Sequence, residues 1–263
     1  KGILNQNDTR PGGAWSEHGQ DANSGGIWAP VKLHLSRGVT IDDVILRPDW
    51  RDGLENPLLR AEIRYRARAA GSVTLRLSAA PDNFNGQRIE QTFSVNLTQA
   101  NGKPQSLNVS LPMKGARLWW PAGYGKPNLY RVRATLVDDQ GVMDTAVTRT
   151  GLRKLEEQPD NQGWRINDRR LFIKGSNYIG SPWLGTLTRQ KYRRDFTLLQ
   201  KMNANAIRVH GHVAGRALYE VADEMGLMIW QDVPLQWGYD NSDAFADNAV
   251  RQTRDMMAQF GAD

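Results

Sequence analysis

Three short apolar stretches between Leu171 and Pro234 alternate with two segments in which apolar residues recur at helical spacing. The stretches cover residues 171–178, 205–212 and 227–234, and their length and composition predict three strands. Each is apolar until its C-terminal end and only there turns polar, which is typical of parallel strands covered on both faces. The pattern therefore predicts a βαβαβ run, and ligands of parallel sheets bind at the C-terminal strand ends.

The segments between the strands predict two amphipathic helices, and a third is predicted beyond the loop that follows Pro234. The apolar positions of the first helix are Tyr192, Phe196, Leu199 and Met202. Those of the second are Leu218, Val221, Ala222 and Met225, and Gly226 is placed to end it in a left-handed cap. Those of the third are Ala249, Val250, Thr253, Met256 and Phe260. This order favours the first three units of a (β/α)8 barrel; a small open α/β sheet is the alternative.

Residues 37–152 follow a period of two instead. The clearest run alternates apolar with charged positions, and its apolar members are Leu59, Ala61, Ile63, Tyr65 and Ala67. Similar runs follow, separated by turn-rich clusters, and several antiparallel strands in about 110 residues predict an immunoglobulin-like β-sandwich. The segment 116–130 breaks the alternation, because a Trp-Trp-Pro sequence cannot belong to a regular central strand.

Two short features flank this region. Before it, Val31, Leu33 and Leu35 alternate as one strand, which cannot bury a core alone and so pairs with the next domain or closes a preceding one. After it, the Asn167-Asp168 step predicts a tight turn that pairs a short strand with the first strand of the βαβαβ run.

Composition narrows the function classes. The 263 residues are 40% apolar, enough for two domains, and contain no apolar run of membrane-spanning length. There is no cysteine, so disulfides and thiolate metal sites are excluded. The net charge of +6 is spread along the chain, which does not indicate nucleic acid binding. The densest basic cluster, Arg60, Arg64, Arg66 and Arg68, lies on one strand face, and a solvated outer face is favoured over a polyanion site.

Six motifs together resemble glycoside hydrolase family 2, most closely its β-mannosidase and exo-β-glucosaminidase branch, which is related to the β-galactosidases. In chain order they are GGIWAPVKL, LWWPAGYGKPNLY, TGLRKLE, WRINDRRLFIKGSNY, MNANAIRVHGH and ADEMGLMIWQDVP. The resemblance implies three parts. Residues 1–36 would end a sugar-binding jelly roll, 37–152 would form the immunoglobulin-like sandwich, and 153–263 would begin the (β/α)8 barrel.

The resemblance implies a retaining exo-β-glycosidase that acts on a carbohydrate such as a β-mannoside, β-galactoside or β-glucosaminide, with no metal or organic cofactor. In the family, the two catalytic glutamates lie on the fourth and seventh barrel strands, the first in an Asn-Glu pair, and no such pair follows Trp164. We therefore expect this chain to be an inactive fragment whose main partner is the rest of its parent chain. No membrane partner is expected, and a periplasmic or secreted setting is favoured.

The candidate substrate-binding residues follow from the polar strand ends and the resemblance; they are Asn177, Trp183, Arg208, His210, His212, Asp232 and Trp237. Asn177 is expected to bond a sugar hydroxyl or start an Asx turn, and Trp183 to stack on a sugar or cover the barrel mouth. Arg208 is implied to orient the catalytic carboxylates. Asp232 is expected to accept bonds from sugar hydroxyls or to pair with Arg208.

Two alternatives belong to other function classes. His210 and His212 face the same way on a strand, as in metal-dependent barrel hydrolases, and Asp232 is the only obvious third ligand. His210 also stands where the β-mannosidase pattern has a tryptophan. In the other alternative the sandwich is a non-catalytic carbohydrate-binding or spacer module, with Trp119 and Trp120 stacking on sugar. Against it, the resemblance favours a structural role for both tryptophans.

Overall fold

The computed structural model describes residues 27, 30–99, 103–159, 163–181, 184–233 and 240–260. The first part of this range consists of antiparallel strands: β1 (Val39–Asp49), β2 (Leu58–Ala67), β3 (Gly71–Pro81), β4 (Ile89–Leu97), β5 (Gln105–Pro112), β6 (Tyr130–Asp138) and β7 (Gly141–Thr150). Short strands follow: β8 (Leu155–Glu157), β9 (Trp164–Ile166) and β10 (Arg169–Leu171). The last part contains β11 (Gly175–Tyr178), α1 (Arg189–Lys201), β12 (Ala206–Val209), α2 (Arg216–Met225), β13 (Met228–Gln231) and α3 (Asp243–Phe260).

Strands β1 to β7 form two antiparallel sheets that share one core. The sheet orders are β1-β2-β5 and β4-β3-β6-β7. The predicted alternation of β2 is confirmed, because its five apolar positions are all buried in this core, against Leu75, Leu77 and Leu136 of the other sheet. On the opposite face of β2, Arg60 pairs with Asp49 and Arg66 with Asp42 at the surface. The arginine cluster is thus a solvated face with acidic neighbours.

The strand predicted for residues 31–35 is not found. Residues 30–36 belong to no strand or helix, and Val31, Leu33 and Leu35 are each about four-fifths exposed (79%, 86% and 82%). This segment is held to the antiparallel region by His34, whose Nε2 lies 2.8 Å from Oδ1 of the buried Asp144.

The stretch 171–178 is two strands, so its prediction as one strand is wrong. The turn at Asn167 and Asp168 is confirmed, with positive φ values of 48° and 62°, but it joins β9 to β10, which ends at Leu171. The parallel strand β11 begins only at Gly175. The buried side chain of Asn205 bonds the backbone between β10 and β11 and so separates the two strands. It accepts from the Lys174 N–H (2.8 Å) and donates to the Phe172 carbonyl (3.0 Å).

The predicted parallel sheet is confirmed, with the order β11-β12-β13. Helices α1 and α2 cover one of its faces and bury Tyr192, Phe196, Ile207, Val209 and Leu218. Helix α2 ends at Gly226, as predicted, with a φ of 72°. Met202, predicted to face the core, is instead 76% exposed because α1 ends before it.

Toward its C-terminal end the other face of this sheet is open in the part of the chain that the structure describes, so the expectation of two covered faces is not met there. At its N-terminal end Ala206 is buried and Met228 packs against the cluster around Trp119. Trp230 of β13 lies on this face and is 59% exposed, and Phe172 before β11 is 73% exposed. The open face carries the polar ends of the three strands.

The segment 116–130 joins the two regions. The Trp119 ring is 1% exposed, its indole N–H donates to the Asp223 carbonyl of α2 (2.9 Å), and the Arg153 guanidinium lies over the ring. A Cβ at Gly151 would lie 2.7 Å from the Trp119 ring, so only glycine permits this approach. The buried Trp119 ring cannot stack on a sugar, so the structure favours the structural role.

Candidate functional site

The open face of the parallel sheet brings three side chains into one row. In the parallel register Asn177 of β11 lies beside Arg208 of β12, which lies beside Trp230 of β13. Neighbours at one level of a parallel sheet project to the same face, and all three residues are exposed. The row lies near the C-terminal edge, one residue before the ends of β11, β12 and β13. An amide, a guanidinium and an indole therefore face solvent side by side.

At this edge Asp232 contacts Arg208, His210 and Gly211. Its two carboxylate oxygens accept from Arg208 Nε (2.9 Å to Oδ1) and Nη2 (2.9 Å to Oδ2), a bidentate pair. Oδ2 also accepts from the Gly211 N–H (3.1 Å) and lies 3.2 Å from His210 Nδ1. Burial alone would raise the pKa of Asp232, but the bonds from Arg208, Gly211 and His210 outweigh it and hold that pKa below its ordinary value.

This arrangement leaves a fixed anion beside an exposed cation. The Asp232 side chain is 14% exposed and that of Arg208 is 45% exposed. The bond to Asp232 raises the pKa of Arg208 above its ordinary value. Asp232 is thus the partner of Arg208, as one of the two sequence interpretations expected. A pre-oriented charged pair of this kind can donate to and accept from the hydroxyls of a polar ligand.

The two histidines do not form a metal site with Asp232. His210 contacts the carboxylate, but His212 is 5% exposed and its Nδ1 lies 3.0 Å from the carbonyl oxygen of His210. Within the described ranges, no group of three or more His, Cys, Asp or Glu side chains is placed to hold a metal ion. The metal-hydrolase alternative therefore has no ligand set in this part of the chain.

The structure brings together part of the predicted set. Arg208, His210 and Asp232 are in contact, Asn177 lies beside Arg208, and His212 lies behind the edge. Trp183 and Trp237 lie outside the described residues. The sequence interpretation missed Trp230, which belongs to the same row. Counting two residues back from Asp232 along the strand would have placed it on that face.

Behind the edge, a second set of bonds ties α2 to the strand ends. The Tyr219 hydroxyl donates to Gln231 Oε1 (2.6 Å), and Gln231 Nε2 donates to the carbonyls of His212 (2.7 Å) and Asp232 (2.6 Å). The Tyr219 hydroxyl also accepts from the Ala214 N–H (3.2 Å). Gln231 is one of the polar strand ends of the sequence pattern, but neither it nor Tyr219 was predicted as a site residue, because the partners of Gln231 are mostly backbone carbonyls that no motif reveals.

These features define a protein of two structural regions: an antiparallel two-sheet unit docked on a parallel β/α unit with a polar strand edge. In the part of the chain that the structure describes, no helix combines the length and apolar character needed to cross a membrane. The class of fold is mostly β with few helices.

Residues 39–153 match the family model described as Glycosyl hydrolases family 2. The chain is 31% identical over 234 residues to a mannosylglycoprotein endo-β-mannosidase of Lilium longiflorum, covering 83% of this chain and 24% of the relative. It is 25% identical over 239 residues to an exo-β-D-glucosaminidase of Hypocrea jecorina, covering 86% and 26%. Among solved structures, β-D-mannosidase from Dictyoglomus thermophilum superposes with a TM-score of 0.75 at 25% identity, covering 86% of this chain and 28% of that one.

On these matches residues 39–153 are a region of glycoside hydrolase family 2, and the chain as a whole is similar to members of that family. It spans about a quarter of the length of the curated relatives it matches, 24% and 26% in the two cases above. The resemblance seen in the sequence motifs is therefore confirmed at the level of the family.

Proposed function

We propose that this chain is part of a retaining exo-β-glycosidase and that the C-terminal edge of β11, β12 and β13 forms one wall of its sugar-binding site. In this proposal residues 37–152 are an immunoglobulin-like sandwich and residues 153–263 are the first three units of a (β/α)8 barrel. The two antiparallel sheets around one core and the parallel β/α order support that division.

The observation that carries the proposal is the polar cluster on the open face of the sheet. Asn177, Arg208 and Asp232 come from three neighbouring strands and meet at one edge. Barrel enzymes place their chemistry at the C-terminal strand ends, and a barrel interior is covered by its remaining strands. The exposed Trp230 and Phe172 fit a face that packs against further strands of such a barrel.

In the proposed site these residues bind sugar and do not perform bond cleavage. Asn177 and Asp232 bond sugar hydroxyls, while Arg208 orients Asp232 and the catalytic carboxylates. Trp183 and Trp237 are proposed to stack on the sugar, and His210 to line the same subsite. His212, predicted in the same set, is buried behind the edge and is left out of the proposed subsite. Cleavage itself uses two glutamates about 5 Å apart, an acid/base and a nucleophile, contributed by strands outside this chain.

The substrate is proposed to be a β-mannoside first, and a β-glucosaminide or β-galactoside otherwise. Of the three similar proteins named above, two carry β-mannosidase names and one carries an exo-β-D-glucosaminidase name. One of the two β-mannosidases is named as endo-acting, so the exo mode is part of the proposal. No metal or organic cofactor takes part in the proposed reaction.

The test is hydrolysis of chromogenic β-mannosides, β-galactosides, β-glucuronides and β-glucosaminides, with and without a metal chelator. A protein that joins this chain to both glutamates should hydrolyse one sugar class in the presence of chelator. The 263-residue chain alone should hydrolyse none, and Arg208→Met should lower kcat/KM in the longer protein. Arg251→Met is the matched control, since Arg251 lies in an exposed pair on α3. Turnover by the short chain, or chelator-sensitive turnover, would contradict the proposal.

A further inference from the structure

Gln231 lies at the end of β13 with its side chain turned away from the open face. Side chains alternate along a strand, so Gln231 points to the helix-covered side while Trp230 points to the open side. It is half-buried and lies beside Val209, a core residue. It therefore cannot contact a ligand held on the face that carries Arg208.

The orientation of the Gln231 amide is fixed by its partners. Its Nε2 faces the carbonyl oxygens of His212 and Asp232, which only accept hydrogen bonds, so the nitrogen must be on that side. Its Oε1 faces the hydroxyl of Tyr219, a side chain that is 2% exposed on α2. The amide uses both N–H groups and its oxygen, and each bond ends on a different part of the molecule.

These bonds fix the loop between β12 and α2. Gln231 holds the loop at His212, and Tyr219 holds it at the Ala214 N–H (3.2 Å). The same loop supplies Asp232 with two of its partners, the Gly211 N–H and His210. If the loop moved, Asp232 would keep its two bonds from Arg208 and lose two of the three contacts of Oδ2, those with the Gly211 N–H and His210.

We propose that Gln231, supported by Tyr219, is a positioning residue that locks the β12–α2 loop and thereby orients the Asp232 carboxylate. Its importance for sugar binding rests on the proposed function, whereas the lock itself is a property of this chain. Gln231→Glu tests it at nearly constant volume, because a carboxylate has no N–H for the His212 and Asp232 carbonyls and repels them. Tyr219→Phe removes the hydroxyl that bonds Gln231 and the Ala214 N–H, while the aromatic ring stays in the core.

The first measurement is amide hydrogen exchange of the 263-residue chain by NMR. Both variants should speed exchange at Gly211 and Ala214 by about tenfold, the value of one hydrogen bond, with the β3 and α2 amides unchanged. Gln200→Glu is the matched control, because Gln200 Nε2 donates to the Met225 carbonyl at the far end of α2. It should leave Gly211 unchanged. Unchanged exchange at Gly211 in both variants, or equal acceleration at every amide, would overturn the proposal.

The second measurement uses the longer glycosidase and its preferred chromogenic sugar. Gln231→Glu and Tyr219→Phe should each lower kcat/KM about tenfold, while Gln200→Glu retains the unaltered value. Faster exchange at Gly211 with unaltered kcat/KM would overturn the positioning role. If the unaltered protein hydrolyses no sugar, the proposed function fails and the exchange result alone decides whether the lock exists.

Discussion

The two regions of this chain bury their sheets in different ways. The antiparallel region packs two sheets on one core, so that Leu59 and Ile63 of β2 and Leu75 and Leu77 of β3 are all fully buried. The parallel region has helices on one face only, and Trp230 remains exposed on the other. The antiparallel region thus buries the inner faces of its sheets against each other, whereas the parallel sheet keeps an exposed face at its polar strand ends.

The comparison also shows how the two regions are joined. The last turn of α2 receives bonds from the antiparallel region at several points: the Trp119 indole donates to Asp223, and the Ala122 N–H donates to Gly226 (2.8 Å). Arg149 of β7 pairs with Glu224. The closed region thereby fixes one end of the helix whose other residues, through Tyr219, hold the polar edge. We call these contacts of Trp119, Ala122 and Arg149 with the end of α2 the junction. If the junction couples the two regions, variants there should destabilise both regions, whereas variants on the open face should destabilise neither.

The largest effect is expected from Trp119→Ala, which removes a buried ring at the junction. It should lower the free energy of unfolding by about 3–5 kcal/mol, measured by chemical denaturation, because a large cavity and the bond to Asp223 are involved. Trp230→Ala is the control and should cost less than about 1 kcal/mol, since Trp230 lies on the open face. Equal losses for the two variants would contradict the distinction between a closed junction and an open face.

A smaller effect is expected from Glu224→Gln, which weakens one ionic contact between the regions and two contacts between α2 and α1. Glu224 pairs with Arg149, Arg189 and Arg193, and Arg149 is the least exposed of the three. The loss should be about 1–3 kcal/mol at neutral pH. Glu90→Gln, at a more exposed pair with Arg88, is the control and should change stability by less than about 1 kcal/mol.

The same contact predicts a pH dependence. Burial raises the pKa of Glu224, but the bonds from Arg149 and Arg189 outweigh it and hold that pKa below its ordinary value of 4.5. A carboxylate whose pKa is lower in the folded than in the unfolded chain stabilises the fold at pH values above its unfolded pKa. That stabilisation is lost as the pH falls through the pKa of the folded state. The stability difference between the unaltered chain and Glu224→Gln should therefore shrink below pH 4.5. A difference that grew on acidification would contradict this account.

The smallest effect is expected as the difference between Gly226→Ala and a matched glycine variant. Gly226 has a φ of 72°, and a Cβ there would lie 3.1 Å from the Ala122 nitrogen and 3.2 Å from the Trp120 carbonyl oxygen. Gly53→Ala is the control, because Gly53 has a φ of 82° and no atom within 4 Å of such a Cβ. Both should lose about 1 kcal/mol to backbone strain, and Gly226→Ala should lose a further ~1 kcal/mol to crowding. Equal losses would mean that the junction tolerates the extra carbon.

Local periodicity predicted the elements that have a clear pattern. The alternation in β2 and the apolar spacing of α2, with Gly226 at its end, were predicted because each depends on neighbours in sequence. The split between β10 and β11 was not, since Asn205, more than 30 residues away, makes the bonds that break the strand. Long-range side-chain bonds of this kind leave no trace in a local pattern.

The same limit applies to the candidate site. Polar strand ends were enough to predict Arg208, His210 and Asp232 at one edge, because parallel strands end together. The burial of His212 and the tie through Gln231 and Tyr219 depend on a loop conformation that spacing does not determine. The packing of Trp119 on α2 likewise joins residues 104 positions apart.

The most direct test of the central claim is the kcat/KM of Asp232→Asn in a glycosidase that joins this chain to its catalytic glutamates. Asp255→Asn on α3 is the matched control, since Asp255 lies in an exposed pair. If the open edge is the sugar-binding wall, Asp232→Asn should lower kcat/KM about 100-fold through misplaced substrate, and Asp255→Asn should leave it unchanged. An unaltered kcat/KM for Asp232→Asn, in a protein that is folded and active, would contradict the account.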